Sequence, residues 1–263
     1  MGMGLKKFLP GRRGRPPKSD ARNWFNAGPT IYETVYYHTL VQHAGQRLAN
    51  FLSERLRKSG VKPEEATGVE FGPGLSPLAP ALGFKQMVFV DSSRRMIGRL
   101  QEMVAARKAK NVVVWHNDIR GFDQRVPENS VAIVGEVLTH LRPSERLGVL
   151  ERLTTRFDRI YLVDRSVEFV EKRRWGLKGG FLPMRRTERK TYRTKNNDML
   201  VSPNEAAGFL NRLGFHVEVK AMAMRRRKAK GPETLYFQLW AERAKAGEKP
   251  RLLVRPSGEV IRK

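Results

Sequence analysis

The chain has 263 residues, 40% of them hydrophobic, and a formal net charge of +25, which suits one large domain with appendages and allows a substantial buried core. It has no cysteine, which excludes disulfides, thiolate metal sites and cysteine nucleophiles. No apolar run approaches the ~20 residues of a membrane span, and the opening Met1-Gly2-Met3-Gly4-Leu5-Lys6-Lys7 lacks both a secretory h-region and the hydroxyl residue of a myristoylation signal. The expected location is therefore the cytoplasm, nucleoid or nucleus, without secretion or membrane attachment.

Residues 1–29 are rich in Gly, Pro, Lys and Arg and read as a disordered basic arm. Residues 30–64 read as a helical cap. Leu40, Ala44, Leu48 and Leu52 recur at four-residue spacing, Thr30 and Glu33 offer a capping box, and Gly60 and Pro63 end the helix. From residue 65 to 242, short apolar runs alternate with amphipathic stretches. Strands are predicted at Gly68–Phe71, Gln86–Val90, Asn111–Trp115, Ser130–Val134 and Arg159–Val163, with helices over 93–108 and from Pro143 through Leu153. Such alternation predicts βαβ units and a parallel sheet covered by helices. Residues 172–200 interrupt it as a basic insertion broken at Trp175-Gly176 and Gly179-Gly180. A helix capped by Ser202, with Glu205 three residues on, then runs to about Leu213. Strands at Phe215–Val219 and Thr234–Trp240 follow, and a basic tail over 243–263 ends in a small hairpin through Pro256-Ser257-Gly258.

The charge is segregated. Residues 1–22, 172–195, 220–230 and 243–263 carry +6, +9, +6 and +5, leaving the rest of the chain at −1. A neutral body framed by basic segments points to a polyanionic partner, although solvated tails would show the same pattern.

Val69-Glu70-Phe71-Gly72-Pro73-Gly74 carries the chemistry. Glycines at 72 and 74 let the backbone take positive φ and approach a ligand, at the carboxyl end of a strand and before a helix N-terminus. Asp91 closes the second strand, 21 residues beyond Glu70, where a carboxylate can accept both hydroxyls of a ribose. Asp118, three residues after the third strand, could hydrogen-bond an adenine amino group. Each acid could instead cap a helix or a turn. A dinucleotide oxidoreductase is the nearest rival, but its third glycine has no counterpart in Leu75-Ser76-Pro77.

Val69–Ser76 resembles motif I of the class I S-adenosylmethionine-dependent methyltransferases. Val88-Phe89-Val90-Asp91 resembles motif II, Asn117-Asp118-Ile119 motif III, and Ser130–Leu141 motif IV with its following helix. Ser202-Pro203-Asn204-Glu205 through Leu213-Gly214-Phe215 is similar to the family's last helix and its turn into the sixth strand. The resemblance implies an α/β fold with a Rossmann-like seven-stranded sheet and helices on both faces. It also implies S-adenosylmethionine as cofactor. Gly72, Pro73 and Gly74 would pass beside its methionine part, Glu70 would bind the ammonium through the turn, Asp91 with Ser92 would hold the ribose, Asp118 and Ile119 the adenine, and Glu136 would also line the site.

Methyl transfer is an in-line displacement that needs alignment and, for some acceptors, proton removal. Glu136 could orient or deprotonate an amine, or simply face a helix dipole. His140 could act as a base or be a packed or surface residue. No Asp/Asn/Ser-Pro-Pro-aromatic run is present and there is no cysteine for ring-carbon methylation, which disfavours the common DNA base methyltransferases. In the arm, Arg12, Arg13, Gly14, Arg15, Pro16 and Lys18 resemble an AT-hook, whose arginines run along a narrow A·T minor groove. The expectation is a methyltransferase acting on nucleic acid or on a protein bound to it. The alternatives are a small-molecule enzyme with residues 172–195 as lid, and a non-catalytic DNA-binding protein that kept the fold.

Overall fold

Thr67–Phe71 (β1) is buried along its whole length, the mark of a central parallel strand covered on both faces. The computed structural model describes residues 41–74, 82–165, 201–224, 234–255 and 260–261. The basic arm with its AT-hook-like segment, the Thr30–Glu33 cap, residues 75–81 after the glycine turn, the 172–200 insertion, the Arg225–Lys230 run and the Pro256–Gly258 turn lie outside the described residues.

Around β1 lie Gln86–Asp91 (β2), Val112–His116 (β3), Ser130–Gly135 (β4) and Arg159–Arg165 (β5), all parallel. Phe215–Met224 (β6) and Thr234–Arg243 (β7) complete the seven predicted strands, and the sheet order is β3-β2-β1-β4-β5-β7-β6. β7 runs antiparallel to both neighbours, so it slots between β5 and β6 as the return arm of a hairpin. The chain leaves β1 toward β3 and returns to β4 on β1's other side, which places the topological switch at the carboxyl ends of β1 and β4.

Val41–Lys58 (α1) and Arg94–Ala106 (α2) cover one face of the sheet, and Pro143–Thr154 (α3) and Pro203–Arg212 (α4) the other. Of the predicted stripe, Leu48 and Leu52 are buried in α1 with Phe51 and Leu56, and Leu40 lies outside the described residues. They meet Phe89, Ile133, Tyr161 and Trp240. On the opposite face, Val69, Phe71, Val134 and Leu162 pack with Leu150 and Leu153 of α3 and Ala207 and Leu210 of α4. Ser93 caps α2 by accepting from the Met96 N–H at 3.4 Å. Ser202 caps α4, its side chain accepting from the Glu205 N–H at 3.0 Å.

Arg55 of α1 projects through the helix's apolar face to an ion pair with Glu218 on β6. Its guanidinium also stands over the Phe51 ring, 5.0 Å from the centroid. The pair joins the first described helix to a late strand across 163 residues of sequence.

The tail differs from the expected hairpin. Leu252–Arg255 (β8) and Val260–Ile261 (β9) do not pair with each other, and both run parallel along β6. β7 satisfies only one edge of that ten-residue strand, so the tail supplies partners for the other. The Val217 N–H donates to Arg251 O at 2.7 Å, and the Arg251 N–H donates to His216 Nδ1 at 3.1 Å. Among the described residues the sheet therefore has nine strands, the seven expected and two from the tail. No helix among the described residues is long and apolar enough to cross a membrane.

Candidate functional site

The glycine turn leaves β1 with φ +61° at Gly72 and +57° at Gly74, values that any side chain beyond Gly would strain. The Gly72 N–H donates to Val90 O at 2.8 Å, so the turn is tied to the residue before Asp91. A Cβ at Gly72 would lie 2.6 Å from Val137 Cγ2. The turn after β1 and the turn after β4 therefore close on each other over the switch, and only a residue without a side chain fits between them. Pro73 and Gly74 are buried beside it. Glu70 is 2% exposed and points to the α1 face. Its charge, after burial, helps push the Tyr161 hydroxyl well above its ordinary pKa.

Asp91 lies at the carboxyl end of β2, with Oδ1 accepting from the Ser93 N–H at 2.8 Å. Burial pushes its carboxyl up to about 6, and the Ser93 hydrogen bond and His116 only partly offset that. A carboxylate lifted by desolvation gains from any hydroxyl that donates to it. Ser92 beside it is half-buried, and its carbonyl lies 3.1 Å from His116 Nε2. The turn alternative is realised at Asp91, whose carboxylate accepts from the Ser93 N–H.

Asp118 takes the capping role that the sequence allowed as an alternative, and adds to it an ion pair with Arg120. Its Oδ1 accepts from the Arg120 N–H and Nε–H, both at 2.9 Å, and Oδ2 from Arg120 Nη2. Arg120 also donates to Glu145 at the start of α3, at 3.2 Å. The carboxylate caps the one-turn helix Ile119–Gly121, and the Ile119 side chain is buried in the core. The pairing fixes the plane of the Asp118 carboxylate at the edge where adenine was expected.

Glu136 follows Gly135 at the end of β4 with φ +52°, a left-handed conformation that costs a non-glycine residue about 1 kcal/mol or more. Its N–H donates to Val163 O at 2.8 Å, its carbonyl accepts from Thr139 Oγ1 at 3.1 Å, and Oε1 accepts from the Tyr236 hydroxyl at 3.3 Å. His140 ends the one-turn helix Leu138–His140, half-buried, its N–H donating to Val137 O at 2.9 Å.

Three groups here were missed from sequence. Asp164, 0% exposed at the end of β5, accepts from the Thr139 N–H at 3.2 Å and so anchors the Glu136–His140 segment. An acid directly after an apolar strand, as at Asp91, was the available signal. Tyr236, 5% exposed on β7, reaches Glu136. Gln238, two residues on, accepts from the Tyr161 hydroxyl at 2.9 Å. Among the described residues no cluster of acids and histidines is suited to a metal ion.

No family model matches the chain, and no curated protein matches it in sequence. Solved structures do match in shape. The magnesium protoporphyrin IX methyltransferase of Synechocystis PCC 6803, with bound S-adenosylmethionine, aligns over 88% of this chain and 99% of its own at 17% identity, with a TM-score of 0.59. The YcgJ protein of Bacillus subtilis aligns over 76% and 99% at 8% identity, with a TM-score of 0.57. Phosphoethanolamine N-methyltransferase 2 of Haemonchus contortus, in complex with phosphomonomethylethanolamine and S-adenosylhomocysteine, aligns over 88% and 62% at 13% identity, with a TM-score of 0.59. The chain has the fold of the S-adenosylmethionine-dependent methyltransferases, as the glycine turn and strand order lead one to expect.

Proposed function

We propose that the protein is an S-adenosylmethionine-dependent methyltransferase whose site lies over the carboxyl ends of β1, β2 and β4. The observation that supports this is the left-handed glycine turn at the carboxyl end of β1, tied by the Gly72 N–H to Val90 O and so set beside the desolvated Asp91. These residues fit the cofactor. Gly72 and Gly74 would admit its methionine part, Asp91 and Ser92 its ribose, and Asp118, held by Arg120, its adenine. Bound there, the cofactor supplies an electrophilic methyl on a sulfonium. The chain's own part is to align the acceptor, with Glu136 on the acceptor side.

Calorimetry with S-adenosylmethionine tests the reading. The expected result is micromolar binding, lost in Asp91→Ala. Absence of heat from a folded protein would leave the non-catalytic alternative standing.

The acceptor is proposed to be nucleic acid or a protein bound to it, because the basic residues are concentrated in four segments around a neutral body. In filter binding, AT-rich duplex should be held in a salt-sensitive way by the full chain and much less after removal of residues 1–22. Equal, salt-insensitive binding by both forms counts against it. A small acidic acceptor is the second reading, favoured by the small-molecule substrates that the Synechocystis and Haemonchus enzymes are named for. Labelled-methyl transfer to cell extract that survives both nuclease and protease would select it.

A further inference from the structure

Two described non-glycine residues have positive φ, Lys108 and Glu136. Lys108 is exposed just past the end of α2, where a left-handed residue commonly closes a helix. Glu136 has no such excuse, since it follows a strand and stands before a one-turn helix, where glycine would fit without strain. The fold nonetheless holds a carboxylate there. The backbone is pinned on both sides, through Val163 O and Thr139 Oγ1. The side chain is fixed from β7 by a nearly buried tyrosine, although β5 lies between β4 and β7. The adjoining Val137 packs against Gly72, so this carboxylate is carried on the segment that closes on the glycine turn.

We infer that the methyl acceptor is an amine nitrogen seated against Glu136, and that Tyr236 is the positioning residue that holds this carboxylate. The inference rests on the methyltransferase reading and names its substrate class. The nitrogen lone pair forms the new N–C bond as the S–C bond breaks, and the electron pair of that bond stays on sulfur. Positive charge thereby passes to the nitrogen, and the resulting ammonium gives its proton to water. A fixed carboxylate beside the nitrogen stabilises the charge where it develops. The same carboxylate repels a phenolate or carboxylate oxygen, so the site is unsuited to oxygen acceptors that react as anions. The Tyr236 hydroxyl, donating to Oε1, sets the plane of the carboxylate before the acceptor arrives.

The test uses the full chain, labelled S-adenosylmethionine, and two sets of probes: spermine and a lysine- and arginine-rich peptide as amines, catechol and palmitate as oxygen acceptors. Calorimetry first establishes S-adenosylmethionine binding. If it fails, the methyltransferase reading falls and this inference with it. With binding in place, label should pass to an amine and not to the oxygen probes. Glu136→Gln should lower kcat/KM at least 100-fold. Tyr236→Phe should lower kcat 5- to 10-fold while leaving the S-adenosylmethionine Kd within twofold. A second readout is independent of turnover. In protein carrying 13C-labelled tyrosine with S-adenosylhomocysteine bound, spermine should shift the Tyr236 ring signal in the wild type and not in a folded Glu136→Gln variant. Transfer to oxygen probes alone, transfer to amines indifferent to Glu136→Gln, or neither amine transfer nor a Tyr236 shift would overturn the inference and leave the cofactor site intact.

Discussion

Val137 Cγ2 occupies the space that a side chain on Gly72 would need, with 2.6 Å between it and the position of a Cβ. Gly72→Ala should therefore destabilise the fold by roughly 2 kcal/mol, through both the collision and the left-handed φ. Val137→Ala in the same chain removes the collision but not the backbone strain. Urea denaturation of the four proteins of the double-mutant cycle should show partial recovery in the double variant, and simple additivity would contradict the contact.

Binding of S-adenosylmethionine should depend on pH through Asp91. Its folded pKa is raised to about 6, so the charged form proposed to accept the ribose hydroxyls is lost as pH falls through 6, instead of near the ordinary 3.8. Affinity measured by calorimetry should be flat above pH 7 and fall about tenfold by pH 5. The ligand-free fold behaves oppositely. Its native state binds a proton more readily than the unfolded chain between pH 4 and 6, so this group makes the fold less stable as pH rises across that window. Asp91→Asn should raise Tm at pH 7 while abolishing binding.

Glu136→Gly should stabilise the protein by about 1 kcal/mol, because glycine takes the left-handed backbone without strain. Activity should be lost in the same variant. Urea midpoints beside labelled-methyl transfer will show whether stability and activity move in opposite directions. A variant that is less stable than wild type would argue that the backbone there carries no strain.

Arg120→Met should weaken S-adenosylmethionine binding about five- to tenfold while changing stability by less than about 1 kcal/mol. The Arg120 pairs with Asp118 and Glu145 are partly exposed, so their direct contribution to stability is small. Their effect on the orientation of the Asp118 carboxylate is larger. Calorimetry and thermal melts on the same sample measure both.

Local signals carried most of the fold. The Ser202–Glu205 cap, Pro143 in a first helical turn and the apolar runs of β1 to β5 are each decided within a few residues, and they form as expected. Gly72, Gly74 and Asp91 were legible for the same reason, since strand, turn and strand-end acid are contiguous in sequence. Tyr236 was not, because it reaches Glu136 only after β7 has inserted antiparallel beside β5, a pairing that no local pattern encodes. The strain at Glu136 was hidden because a glutamate gives no warning of positive φ. Arg120 carries no sequence signal, because its pairing with Glu145 joins two segments 25 residues apart. The Pro-Ser-Gly sequence of the tail predicts a hairpin, whereas Leu252–Arg255 and Val260–Ile261 both pair with the edge of β6.

The ion pair between Arg55 and Glu218 has a consequence for how the chain is born. At about 5 to 20 residues per second of synthesis, the 163 residues separating the two take roughly ten to thirty seconds to emerge. Through that interval Arg55 has its neighbours on α1, Glu54 and Phe51, but not its partner on β6. The helix can lie on β2 and β4 early, but its ion pair to the sheet forms only when β6 arrives. A nascent chain halted before residue 218 should therefore hold α1 loosely, open to a chaperone or a protease that the finished protein would not admit.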